Sequence, residues 1–181
     1  DPNKVTQNFF EERFGFEFVE NEIGQFVNQL HEIMQNPERV REHHIYVTYT
    51  QADEALAKGL FRAFIPQLAR KYVTLWHKGK LLAGDDRATM MKQQIEKADV
   101  ILLLLSMDMI ADPEIMEMEM NWINERRKDR KLKVFAVLGR DCDWQAHPYF
   151  SELMALPENE QPINQWNSKD TAYLQIVRQL S

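Results

Sequence analysis

Six consecutive aliphatic residues, Val100–Leu105 (Val-Ile-Leu-Leu-Leu-Leu), constrain the fold more than any other feature of the chain. A strand with one solvated face alternates apolar and polar residues. This run does not alternate, so both of its faces must be buried. That is the pattern of a central strand in a parallel sheet covered by helices on both sides. The run is too short for a buried helix and far below the roughly 20 residues that cross a bilayer.

From His44 onward the flanking sequence supplies the rest of such a sheet. Ile45–Tyr49 is β-branched and aromatic and reads as strand one. Asp53 opens a helix carrying Leu56, Leu60, Phe61 and Phe64, which Pro66 should kink or end. Tyr72–Trp76 reads as strand two, and the stretch from His77 to Asp86 as a loop with two glycines. A helix then runs to Lys97, ahead of the central run that Ser106 ends. Asp112-Pro113 has the N-cap and first-position residues of a helix, expected to reach about Asp129. Leu132–Leu138 is strand four, Phe150–Leu156 a short helical piece, and Ile163–Trp166 a brief fifth strand. Ser168 caps a final helix bearing Tyr173, Leu174, Ile176, Val177 and Leu180. Strands joined by single helices must be parallel with right-handed crossovers. The expectation is therefore a flavodoxin-like, doubly wound α/β sheet of about five strands in the order 2-1-3-4-5.

Residues 1–41 differ in texture. Ile23, Phe26, Val27, Leu30, Ile33 and Met34 recur at helical spacing, and Asn36-Pro37 breaks the pattern. They read as a helical N-terminal extension, either packed on the main domain or forming an interface with another copy or domain. Residues 42–181 form the domain proper.

Bulk composition removes several function classes. At 181 residues there is one sizeable core. A net charge of −6 argues against a nucleic-acid partner, which wants a basic face. The single cysteine, Cys142, precludes an internal disulfide and points to a reducing, cytoplasmic setting. No signal-peptide layout and no membrane-spanning run is seen.

In doubly wound sheets ligands bind outside the carboxyl ends of the strands, beside strand one. Three loops are candidates: Thr48-Tyr49-Thr50, residues 77–86, and Ser106 to Asp112. They hold neither a GxGxxG nor a GxxxxGK[ST] phosphate fingerprint. A phosphoacceptor receiver would need acidic residues where Thr48-Tyr49-Thr50 and Ser106 stand. Histidines 31, 43, 44, 77 and 147 have no metal-ligand spacing, so no metal site is expected, and no nucleophile elbow is present.

The remaining combination is similar to a known family. Ile45-Tyr46-Val47-Thr48-Tyr49-Thr50 with Asp53 resembles the opening strand of TIR (Toll/interleukin-1 receptor) domains. Trp76-His77 with Lys80–Gly84 resembles their loop after strand two, and Ala98-Asp99-Val100 to Ser106 their third strand. Glu119 falls where these domains carry a glutamate. Cys142-Asp143-Trp144, Pro148, Leu156-Pro157 and Pro162-Ile163 with Trp166 resemble the tail of a bacterial branch. The likeness covers about residues 44 to 180. It departs at His77-Lys78, where an acidic residue is frequent, and at Ile115, where Trp or Cys is common.

The resemblance implies one of two roles. The first is cleavage of the nicotinamide–ribose bond of NAD+, by hydrolysis or cyclisation, activated by self-assembly in signalling or defence. NAD+ is then the substrate, and no cofactor is implied. The second is a non-catalytic assembly module that binds other TIR copies as a homo-oligomer or filament. In the first role Glu119 is the catalytic residue. Nicotinamide leaves as a neutral base and needs no acid, unlike ordinary glycoside hydrolysis. The developing oxocarbenium ion needs an anion, which can also accept hydrogen bonds from the ribose diol. The competing explanation is that Glu114, Glu117 and Glu119 crowd one helix start, where the dipole favours acids. Around Glu119, Tyr49 and Trp76 could stack on a ring of the substrate and Lys78 and Lys80 could meet its pyrophosphate. Thr48, Thr50 and Ser106 could donate hydrogen bonds. Each also has an ordinary structural use, as core aromatics, solvated charges and strand-end caps.

Overall fold

The computed structural model describes residues 42–129 and 131–180. The helical extension expected over residues 1–41 lies outside the described residues. Five parallel strands form one sheet in the order β2-β1-β3-β4-β5. They are β1 (His43–Thr48), β2 (Val73–His77), β3 (Val100–Leu105), β4 (Lys133–Leu138) and β5 (Met154–Leu156). Val100–Leu105 is the central strand, paired with β1 and β4, and Ile101 to Leu105 are fully buried. The doubly wound expectation and its strand order hold.

Among the described residues six helices connect and cover the strands. They are α1 (Glu54–Ala63), α2 (Ile65–Ala69), α3 (Arg87–Lys97), α4 (Met107–Ala111), α5 (Met120–Arg127) and α6 (Lys169–Gln179). Pro66 acts as expected, separating α1 from α2 at the first turn of the latter. Strand alternation divides the core in two. Ile45, Val47, Leu102 and Leu104 face Leu60 of α1 and Tyr173, Ile176 and Val177 of α6. Tyr46, Ile101, Leu103 and Leu105 face Ile95 of α3 and Met120 and Ile123 of α5.

Two local expectations are corrected. The fifth strand is not Ile163–Trp166, which forms a 3-10 turn over Ile163–Gln165. It is Met154–Leu156, paired with Phe135–Val137 of β4; a three-residue strand is too short to show a period. The loop from Ser106 to Asp112 is instead the short helix α4. Ser106 caps it by accepting a hydrogen bond from the Met109 N–H at 3.1 Å.

The helix expected from Asp112 onward contains an irregularity. Asp112 accepts from the N–H groups of Glu114 (3.0 Å) and Ile115 (3.3 Å), as an N-cap should. Ile115–Glu119 is then a π-helical turn leading into α5, with the Met120 N–H bonded to the Ile115 carbonyl. Glu119 and Met120 stand where this wider turn passes into α5. Both are buried.

Candidate active site around Glu119

On β1, residues of even number point toward α3 and α5. Tyr46 and Thr48 therefore share a face, two positions apart. The π turn places Glu119 opposite them. The Tyr46 hydroxyl donates to Glu119 Oε2 at 3.0 Å, and Thr48 Oγ1 donates to the same oxygen at 3.0 Å. No described residue hydrogen-bonds the other oxygen, Oε1. Glu119 is only 1% exposed, and the burial pushes its carboxyl up to about 7. The bonds from Thr48 and Tyr46 and the Lys78 charge oppose that rise, while Glu114 adds to it. At neutral pH the group stands poised between its acid and its anion. The Tyr46 hydroxyl is raised well above its ordinary range, first by burial and then by Glu119, and stays a donor. Its ring stacks on Trp76, with centroids 5.3 Å apart and planes 14° from parallel.

The other residues singled out in the sequence divide among three places. Thr48 contacts the carboxylate directly, Trp76 reaches it through Tyr46, and Lys78 acts on it by charge. Tyr49 points to the opposite face of the sheet. There it packs edge-on against Phe61 (5.9 Å) and lies beneath the Lys78 ammonium (5.3 Å). Lys80 donates to the Leu75 carbonyl, covering a polar group of the edge strand β2.

Thr50 and Ser106 belong to a second buried node, centred on Asp53. Thr50 Oγ1 (3.1 Å) and Ser106 Oγ (2.5 Å) both donate to Asp53 Oδ2. Arg140 Nε donates to Asp53 Oδ1 at 2.6 Å, and the same guanidinium pairs with Asp108. Asp53 opens helix α1 as expected, standing at its N-cap position. Its side chain makes no capping bond and turns inward. The node ties the exits of β1, β3 and β4 to the start of α4.

His77 supports the loop that follows β2. It stacks on Phe61 at 4.1 Å, and its Nδ1 accepts the Gly79 N–H at 3.2 Å. Burial, helped by the Lys80 charge, lowers its pKa to about 4, so the ring is neutral at pH 7. A Cβ on Gly79 would lie 2.9 Å from that ring. Glycine is therefore needed for the close approach. Among the described residues no group of three or more His, Cys, Asp or Glu side chains is placed to hold a metal ion. No described helix is long and apolar enough to cross a membrane.

Tyr46 and Arg140 were not singled out in the sequence. Tyr46 was legible in principle, because any partner of Thr48 on that face also meets the residue two before it. Arg140 was not, since one arginine after a strand carries no signal of a buried acid far away in the chain.

Comparison with known proteins covers the same domain. The family model for the TIR domain matches residues 45–177. A curated relative, the uncharacterized protein y4lF of Sinorhizobium fredii (strain NBRC 101917 / NGR234), is 32% identical over 134 residues. The match takes in 74% of this chain and 41% of the relative, so the chain spans about two fifths of that protein's length.

Proposed function

The chain belongs to the TIR domain family, and on that premise we propose that it cleaves the nicotinamide–ribose bond of NAD+, with Glu119 as the catalytic residue. The observation that carries this reading is the carboxylate itself. It is desolvated, held on one oxygen by Tyr46 and Thr48, and has its other oxygen free of described partners, at the carboxyl end of a parallel sheet beside strand one. Cytoplasmic NAD+ would be the substrate pool.

In the reaction the bond from ribose C1′ to the pyridinium nitrogen breaks and its electron pair leaves on nicotinamide, which becomes neutral. The oxocarbenium ion left behind is stabilised by ionised Glu119, most strongly because the site is dry. Oε1 is the oxygen that faces the ribose diol or the cation. Water then bonds to C1′ and releases a proton to solvent, giving ADP-ribose; a nitrogen of the adenine in place of water gives a cyclic product. Lys78 is the residue that meets the substrate beside Glu119, and Trp76 backs the Tyr46 ring that holds the carboxylate. Tyr49, Thr50 and Ser106 hold the framework from positions further off.

A carboxylate 1% exposed cannot meet a dinucleotide without movement of its cover. Loop 78–86 is the mobile piece in this reading. It carries Gly84 at φ +96° and, near its tip, Leu82, which is 75% exposed. TIR domains self-associate as a class, and docking of a second copy on this loop is the step that opens the site. The test is nicotinamide release from NAD+ by wild type and by Glu119→Ala, with products separated chromatographically. Loss of release in the variant supports the enzyme. Intact NAD+ at high or tethered concentration rejects it and leaves the assembly-module reading, in which Leu82→Asp abolishes self-association and Glu119→Ala alters nothing.

A further inference from the structure

A cleft of about 300 Å³ lies between the strands β1 and β2 and the C-terminal end of α3. His44, Thr74, Trp76, Lys80, Gln94 and Lys97 border it. Neither Tyr46, Thr48 nor Glu119 is among its lining residues, so it is not the carboxylate site. The floor is apolar and aromatic. His44 and Thr74 are satisfied by each other, Nδ1 to Oγ1 at 2.5 Å. Its charged lining residues are two lysines from different elements, and no acidic residue lines it among the described residues. In a chain of net charge −6, that makes its lining basic, with the Asp99 carboxylate just outside it and engaged by the His44 N–H at 3.1 Å.

We propose that this cleft is an accessory binding site for a small planar aromatic anion, the ring lying against Trp76 and the anionic group between Lys80 and Lys97. The volume decides the size class. It stands at the lower end of small-molecule pockets, enough for one or two fused rings with an anionic group and too little for a dinucleotide. Charge decides the sign, since an anion meets two ammonium groups there and no competing lining carboxylate. The indole supplies the flat contact. Trp76 also stacks on the ring that holds Glu119, so an occupant abuts the catalytic arrangement without entering it.

The test is a calorimetric titration of the full chain with 1-naphthyl phosphate. One saturable site is expected. Lys97→Glu, at an exposed position, should weaken binding about ten-fold or more. Replacing the probe with uncharged 1-naphthol should weaken it similarly. Glu119→Gln should leave binding unchanged, and excess NAD+ should not displace the probe from that variant. The proposal is overturned if no saturable binding is found, if Lys97→Glu or loss of the probe's charge has no effect, or if NAD+ competes. None of these readouts depends on NAD+ being cleaved, so the proposal can fail while the enzyme reading stands, and the reverse.

Discussion

Glu119 and the two hydroxyls on its Oε2 set the behaviour of the site at the scale of single residues. The folded chain holds the carboxyl proton up to about pH 7, whereas a free glutamate releases it near 4.5. Between those values the folded state binds more protons than the unfolded one, so stability falls as pH rises through the window. Below about 4.5 nothing is lost; above about 7 the full penalty remains, on the order of 3 kcal/mol. Glu119→Gln removes the charge and keeps an oxygen for Tyr46 and Thr48. It is expected to be more stable than wild type by up to about 3 kcal/mol at pH 8 and equal to it at pH 4, measured by denaturant unfolding at both. Tyr46→Phe keeps the stack on Trp76 and removes one donor to the charged form. It should raise the Glu119 pKa, moving the acid limb of kcat/KM for NAD+ cleavage to higher pH by about one unit. Glu119 could be found from the sequence only through family likeness, because Glu114 and Glu117 compete for the same reading. It also sits at the end of a π turn that no residue pattern announces. The contact from Tyr46 follows from alternation once Thr48 is placed.

At the scale of elements, one close approach and one buried hydrogen-bonded node are the sensitive points. Gly59 of α1 lies against Tyr173 of α6, and a Cβ there would stand 2.4 Å from the tyrosine ring. The Tyr173 side chain is buried, 4% exposed, within the cluster that α1 and α6 share. Gly59→Ala gains about 1 kcal/mol of helix propensity and meets about 1–3 kcal/mol of overpacking. A net loss is expected, read as a lower Tm. Asp53 is the corresponding point for the strand exits. Asp53→Ala strips the partner from Thr50, Ser106 and Arg140 together. A loss of about 3 kcal/mol is expected, at the low end for a broken buried pair, because Arg140 is about a third exposed and keeps Asp108. Equal Tm values for wild type and Asp53→Ala would refute the node. The central strand, the Asp112-Pro113 start and the Ser168 cap were legible because each has a local signature. The fifth strand was misplaced because Met154–Leu156 is defined by its partner, β4, and by no period of its own. Helix α4 was missed because five residues between two capping residues look like a loop.

The whole domain is a doubly wound TIR fold with its carboxylate closed off, and its behaviour as a molecule turns on opening. Nicotinamide release per chain should rise with protein concentration as copies assemble, and Leu82→Asp should flatten that dependence while leaving Tm within about 1 °C, as an exposed substitution does. The most direct measurement is the initial rate of nicotinamide release from NAD+ at pH 8, wild type against Glu119→Gln at equal concentration. The expected result is a rate at least about a thousand-fold lower in the variant, in a protein that unfolds at higher denaturant concentration than wild type. A Glu119→Gln chain that releases nicotinamide at the wild-type rate would contradict the assignment of catalysis to this carboxylate.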